Sequence, residues 1–208
     1  MRIIAGEFKS RPILSPPDDA PTRPIPDRVK ESLFGLLRGH FEGAAVMDVF
    51  AGTGSIGLEA LSRGAAQVVF VERDREVAAL LKENIRAFKA EDRTRVVVAD
   101  ALGPAALTAC PRPAHLIFFD PPYDLLRTEI GRRRAFTQFA RLVSMLDDTG
   151  FAMLRTEWPF EEGEEGSRTA LSLEMPGARG PETHTYRHTA VHLYMKDADA
   201  PAADATSA

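Results

Sequence analysis

The stretch Ala45-Val46-Met47-Asp48-Val49-Phe50-Ala51-Gly52-Thr53-Gly54-Ser55-Ile56-Gly57 carries the reading on which the fold turns. An apolar run over residues 45–48 leads into a G-x-G-x-x-G loop (Gly52, Gly54, Gly57), and a helical pattern follows. Strand, glycine turn and helix in that order can hold a ligand. The glycines let the backbone turn sharply and approach it, and the helix start offers free N–H groups. Downstream, residues 67–72 (QVVFVE), 95–99 (RVVVA) and 115–120 (HLIFFD) are too uniformly apolar for a sheet with one wet face. They read as central parallel strands. Helical patterns separate them. Over residues 74–88, Val77, Leu80, Leu81, Asn84 and Phe88 share one face, with Asp74 as the N-cap. This alternation predicts a doubly wound α/β domain.

Outward from that domain the pattern changes. Residues 2–5 and 12–14 predict a small hairpin, a loop with Pro16, Pro17, Pro21, Pro24 and Pro26 follows, and a helix spans 27–38. Its apolar stripe is Val29, Leu33, Leu36 and Leu37. Beyond Gly150, residues 151–156, 169–174 and 185–195 read as strands of a partly antiparallel sheet edge. The organisation is therefore an N-terminal appendage (1–40), a main domain (41–196) and an Ala/Asp-rich tail (197–208) read as disordered.

The 208 residues, 44% hydrophobic and 8% aromatic, suit one domain with a sizeable core. That composition excludes a wholly disordered chain, a collagen and a disulfide-stapled miniprotein. A net charge of −4 argues weakly against a nucleic-acid partner, but seven acids lie in residues 161–166 and 197–208. Without those seven the balance becomes +3, so the body is mildly basic. The single Cys110 cannot form an intrachain disulfide, and MRIIAGEFKSRP lacks the apolar core of a signal peptide. No apolar run approaches the ~20 residues of a membrane helix. The reading is a soluble, cytoplasmic protein without membrane contact.

Two motifs carry the chemistry. Glu72 stands twenty residues after Gly52 at a strand end, where a carboxylate can accept both hydroxyls of a ribose. Asp100, at the end of the next strand, can face an adenine amino group. Asp48, four residues before Gly52, would repel a pyrophosphate but suits the cationic amino group of a methionine moiety. S-adenosylmethionine is favoured over a nicotinamide cofactor. Phe50, Arg73 and Ala101 flank these positions and complete the candidate cofactor set, with Arg28 added below. The fourth strand ends in Asp120-Pro121-Pro122-Tyr123, facing the same crevice. Two prolines leave carbonyls without N–H donors, so Asp120 and Pro121 can hold the two N–H bonds of an exocyclic amine. Tyr123 can stack on a base taken out of its helix.

Glycine loop and Asp-Pro-Pro-Tyr together resemble class I S-adenosylmethionine-dependent amino-methyltransferases. Arg2-Ile3-Ile4-Ala5-Gly6, Arg23-Pro24-Ile25-Pro26-Asp27-Arg28-Val29-Lys30-Glu31-Ser32-Leu33-Phe34 and Gly57-Leu58-Glu59-Ala60-Leu61-Ser62-Arg63-Gly64 narrow the resemblance. They are similar to the RsmD family of bacterial 16S rRNA guanine-N2 methyltransferases, over residues 1 to about 160. The resemblance implies a Rossmann-like class I methyltransferase fold: a mostly parallel seven-stranded doubly wound sheet with a small N-terminal hairpin and helix. It implies small-subunit rRNA as substrate; a small domain with little RNA-binding surface points to a ribosomal particle as the form recognised, with naked rRNA the alternative. It also implies an N-terminal motif that closes over cofactor and substrate, placing Arg28 near the site. The chain departs from the family at Ile25-Pro26, where hydroxyl residues are usual, and at Tyr123, where Phe is frequent.

After the catalytic turn, Arg127, Arg132, Arg133, Arg134 and Arg141 face only Glu129 in sequence, and Lys9, Arg11 and Arg23 add to a candidate RNA footprint. His184, His188 and His192 recur every four residues. On a single strand their ends lie ~26 Å apart, so no metal site is expected. Other readings are a DNA adenine-N6 methyltransferase and a non-catalytic RNA-binding assembly factor of the same fold. A glutamine methyltransferase, which typically has Asn in place of Asp120, and a nicotinamide oxidoreductase stand further back.

Overall fold

The computed structural model describes residues 1–15, 25–163 and 167–199. The Pro-rich segment from Pro16 to Pro24 with Arg23, two of the acids of the acidic run, and the tail from residue 200 lie outside them. The chain runs α1 (Asp27–Leu36), β1 (Ala45–Val49), α2 (Ser55–Ser62), β2 (Gln67–Glu72), α3 (Arg75–Phe88) and β3 (Thr94–Val98). Next come α4 (Pro104–Ala109), β4 (Ala114–Phe119), α5 (Tyr123–Arg127), α6 (Glu129–Val143) and β5 (Leu146–Glu157). The two-residue strands β6 (Glu161–Glu162) and β7 (Thr169–Ala170) precede β8 (Ala178–Tyr186) and β9 (Thr189–Lys196).

Seven strands form one sheet in the order β3-β2-β1-β4-β5-β9-β8. The first five pair in parallel, while β9 joins β5, and β8 joins β9, antiparallel. From β1 the chain steps outward to β2 and β3, then returns to place β4 on the other side of β1. That reversal is a topological switch point, where such sheets bind ligands at their carboxyl ends. Val49 lies level with both Val71 and Phe119, and Phe119 with Leu154, so the strand ends form one rim.

Period-two burial distributes β1 between two layers. Val46 joins Leu58, Phe70, Leu81 and Phe118 under α1, α2 and α3. Met47 and Val49 join Val71, Phe119, Phe139 and Leu142 under α4, α5 and α6. The first 40 residues bury Ile3, Phe8, Ile13, Val29, Leu33 and Phe34 in the same cluster as Val46 and Phe118. A buried ion network ties them to α2. The Glu59 carboxylate accepts the N–H groups of Ile4 (2.7 Å) and Ala5 (3.1 Å) and the Arg63 guanidinium (2.9 Å). Lys30 lies 3.6 Å from it and donates to the Arg2 carbonyl and to Ser55 Oγ. Both Lys30 and Glu59 are fully buried. Burial lowers the Lys30 pKa, against the opposing pull of Glu59.

The structure corrects several local expectations. The N-terminal hairpin is present but short, an antiparallel Arg2–Pro12 bridge flanked by the Ile3 N–H to Arg11 carbonyl (3.0 Å) and Ile13 N–H to Met1 carbonyl (3.1 Å) bonds, without a continuous ladder. In α1, Leu36 is exposed while Lys30 and Phe34 are buried. The buried face of α3 includes Ala78 and Ile85 rather than Val77 and Leu80, and Asp74 caps it through Glu76 and Val77 N–H. The strand expected over residues 169–174 shrinks to β7. The run expected over residues 185–195 is a hairpin, turning at Arg187 with φ of 49°. The three histidines therefore do not share a strand, and the ~26 Å separation expected for a single strand does not apply to them. His184 on β8 bonds Glu182, and His192 on β9 bonds Thr156 and Thr183. Among the described residues no helix is long and apolar enough to cross a membrane.

Candidate active site

The glycine loop is built by its packing. Gly54 has φ of +87°, a left-handed backbone that L side chains rarely adopt, and it caps α2. At Gly57 a Cβ would stand 2.2 Å from the Phe70 ring, so only glycine lets α2 lie this close to β2. Beneath the loop, Asp48 is 1% exposed, and its Oδ2 accepts the Gly57 N–H at 2.8 Å. Burial raises its pKa well above the usual carboxylate range; the Gly57 bond opposes this, while Asp120 and Glu72 push it further up. Asp48 thus shapes the loop from below, withdrawn from solvent, rather than presenting an open carboxylate. Asn84 of α3 donates to the Thr53 carbonyl at 3.0 Å and to the Leu14 carbonyl at 3.1 Å, joining loop and N-terminal segment.

The Glu72 carboxylate spans the next strand end. Its Oε2 accepts the Gly52 N–H and its Oε1 the Asp74 N–H, both at 2.9 Å. A Cβ at Gly52 would meet nothing within 4 Å, so the loop is open above that point. Phe50, at φ of +63°, sets its ring edge-on to Phe119 at 5.1 Å. Arg73 is exposed in the turn after β2, and Arg28 is exposed in the first turn of α1. Asp100 is half exposed. Its Oδ1 accepts the Leu102 N–H at 2.9 Å, and its Oδ2 lies 3.6 Å from Arg134. Ala101 is buried, and its carbonyl accepts Gln138 Nε2 at 2.9 Å; the same nitrogen reaches the Gly103 carbonyl at 3.1 Å. Gln138 was not among the expected residues. It holds the Asp100 loop from α6, a role no local pattern announces.

Across the switch point, Asp120 follows β4 directly, its N–H donating to the Val49 carbonyl at 3.3 Å. Pro121 is buried, Pro122 exposed, and Tyr123 half-buried at the start of α5. The Asp120 carboxylate is engaged by Arg155, one residue past the level of Phe119 on the neighbouring β5. Burial would lower the Arg155 pKa, but the facing Asp120 outweighs it and the group is held above its ordinary value.

The basic stretch after the turn is less free than its sequence. Arg127 pairs with Asp124 and Glu157, and Arg134 faces Asp100. Arg132 is 9% exposed, pairs with Glu162, and donates to the carbonyls of Leu126 and Arg127. Arg11 lies over Phe88, 4.5 Å from its centroid, and bonds the Ala87 carbonyl. Cys110 is buried, which pushes its thiol up to about 11.

This arrangement suits an adenosylated amino acid. Glu72 and Asp100 supply acceptors on successive strand ends. Glu72 and Asp120 both act on the buried Asp48, and with Asp120 paired to Arg155 the Glu72 carboxylate has no ion pair among the described residues, a setting that suits hydroxyl and cationic groups better than an anionic ligand.

Sheet order and crevice are those of the class I Rossmann-like methyltransferases. The solved structure of yhhF from Escherichia coli superimposes with a TM-score of 0.73 at 30% identity, covering 96% of this chain and 99% of that one. An RNA methyltransferase from Salinibacter ruber, solved with S-adenosyl-L-homocysteine, gives a TM-score of 0.57 over 87% and 98% of the two chains. At 15% identity that likeness concerns the fold alone. The ribosomal RNA small subunit methyltransferase D of Escherichia coli K12 is 35% identical over 167 residues, 78% of this chain and 77% of that one. The model of the family described as conserved hypothetical protein 95 matches residues 1–160. The chain belongs to that family, the RsmD family of methyltransferases.

Proposed function

We propose that this protein transfers a methyl group from S-adenosylmethionine to the exocyclic N2 amino group of a guanine in small-subunit rRNA. The observation that carries the reading is the pairing of the glycine loop and Glu72 with Asp120-Pro121-Pro122-Tyr123 across the β1–β4 switch point. Membership of a family that includes a small-subunit rRNA methyltransferase supports the substrate class.

When bound, S-adenosylmethionine supplies an electrophilic methyl group on a sulfonium. Glu72 would hold the ribose hydroxyls, and Asp100, with the Ala101 loop fixed by Gln138, the adenine. Asp120 and the Pro121 carbonyl would accept the two N–H bonds of the target amine, drawing its lone pair out of conjugation with the ring. Tyr123 would lie against the base. Held in this way, the nitrogen would aim its lone pair at that methyl group in line with the bond it leaves, so the part played by these residues is alignment. The methylated nitrogen is then acidic enough to lose one proton to water. Positioning and electrostatics can supply most of the acceleration.

The test incubates the protein and methyl-labelled S-adenosylmethionine with undermethylated small-subunit particles, naked rRNA or DNA, then separates the labelled nucleosides. Label in N2-methylguanosine is expected, with Asp120→Ala slowing transfer by about 100-fold or more. Label in N6-methyladenine from DNA would replace the reading.

A further inference from the structure

The Asp120 carboxylate, to which the proposed function gives the target amine, has a partner outside its own motif. Arg155 Nε donates to Asp120 Oδ1 at 2.7 Å, and its Nη2 to Oδ2 at 3.0 Å. These are the two parallel bonds of a guanidinium–carboxylate fork. The remaining nitrogen, Nη1, donates to the Tyr123 hydroxyl at 3.0 Å, and the guanidinium carbon lies 5.3 Å from the centre of that ring. Tyr123 in turn donates to Thr189 Oγ1 at 2.9 Å, which donates to the Thr156 carbonyl at 2.9 Å. We propose that Arg155 is a positioning residue for methyl transfer, locking the Asp120 carboxylate and the Tyr123 ring into one geometry for the target base. The inference rests on the roles just given to Asp120 and Tyr123.

Each carboxylate oxygen has two lone-pair sites. The fork takes one on each oxygen, so the direction of the other is fixed. Without it, the carboxylate turns about a broad, roughly two-fold torsion, and the acceptor no longer points one way. The Arg155 and Asp120 side chains are 7% and 12% exposed, so water screens the pair little. Tyr123 is fixed by the same guanidinium. Its hydroxyl, which a phenylalanine would lack, converts a ring that could flip or slide into one anchored at its far end. A lysine at position 155 would keep the charge but not the fork.

The test uses the full chain, wild type and the variants Arg155→Lys and Arg155→Ala, on undermethylated small-subunit particles. S-adenosylhomocysteine affinity and melting are measured alongside. Arg155→Lys is expected to lower kcat by about 100-fold, with particle KM and cofactor affinity within about threefold of wild type. Millimolar guanidinium ion is expected to restore about tenfold in Arg155→Ala and to leave wild type unchanged, because the free ion reproduces the fork. A kcat for Arg155→Lys near the wild-type value overturns the proposal. So does a raised particle KM at unchanged kcat, which would make Arg155 an RNA contact. Loss of cooperative folding in both variants would assign the pair to the fold and overturn it too. A wild-type protein that labels no particle defeats the functional reading itself, whereas an active wild type with indifferent variants defeats this inference alone.

Discussion

Each oxygen of the Glu72 carboxylate accepts one backbone N–H, Gly52 on one side and Asp74 on the other, so a single side chain couples the glycine loop to the start of α3. The two bonds orient the carboxylate and leave one acceptor site on each oxygen for neighbouring hydroxyls. Replacing Glu72 with Gln keeps the shape but removes the charge and one acceptor. It should weaken S-adenosylhomocysteine binding by about 10- to 100-fold, the worth of a charge-assisted hydrogen bond. Calorimetric titration of the purified variant measures this, and an unchanged Kd would remove Glu72 from the cofactor site. Asp100, half exposed and already facing Arg134, should matter less in the same titration. Both carboxylates could be singled out as candidates from sequence because each follows an apolar strand, Glu72 at a set spacing from the glycine loop. Gln138 and Arg155 could not, since each acts on a residue more than thirty positions away.

The β8–β9 hairpin illustrates how an element escapes a pattern. Its two strands and their turn form one polar and apolar alternation, rich in Thr and Tyr, that reads as a single strand. Only the left-handed Arg187 breaks it. Within the hairpin, His192 is fully buried between two hydroxyls. Thr156 gives its hydrogen to the Glu157 carbonyl, so His192 Nε2 donates to Thr156 and Nδ1 accepts from Thr183. That neutral tautomer is stable only while the ring stays unprotonated, and burial holds the His192 pKa down to about 4. The unfolded value is ~6.5, so the folded group binds its proton more weakly. Its contribution is complete above about pH 6.5 and is lost as the pH falls toward 4, amounting to about 3 kcal/mol. Urea unfolding between pH 7 and pH 4 should show this fall, and His192→Gln should flatten it. Equal pH slopes in the two proteins would place the acid sensitivity elsewhere. The parallel strands, by contrast, are legible because each is a short apolar run whose meaning depends on its own residues. The buried Lys30–Glu59 link was hidden: Lys30 lies on a helix whose apolar stripe seemed to exclude it, and its partner is on another element.

Charge is where the whole molecule departs most from its sequence. A run of arginines after Tyr123 looks like an open basic face, yet Arg127, Arg132 and Arg134 face carboxylates once the chain is folded. Arg133 and Arg141 have no ion pair among the described residues. Neutralising both should reduce the salt slope of particle binding by no more than about 1.5, the share of two phosphate contacts. A larger change would restore the arginine run as the main RNA footprint. Within this stretch only those two arginines are left for phosphates, so we propose an assembled particle that presents the base, rather than naked rRNA, as the substrate. The two sides of the crevice also differ in where their parts come from. Glycine loop, Glu72 and Asp100 are contiguous in the first half of the chain. The Tyr123 plate is fastened only when Arg155 and then Thr189, on the last hairpin, are in place. During synthesis, then, the cofactor side is fully encoded long before the target side is complete. A nascent or C-terminally clipped chain would keep every residue of the cofactor motifs and lose the hand that holds the base.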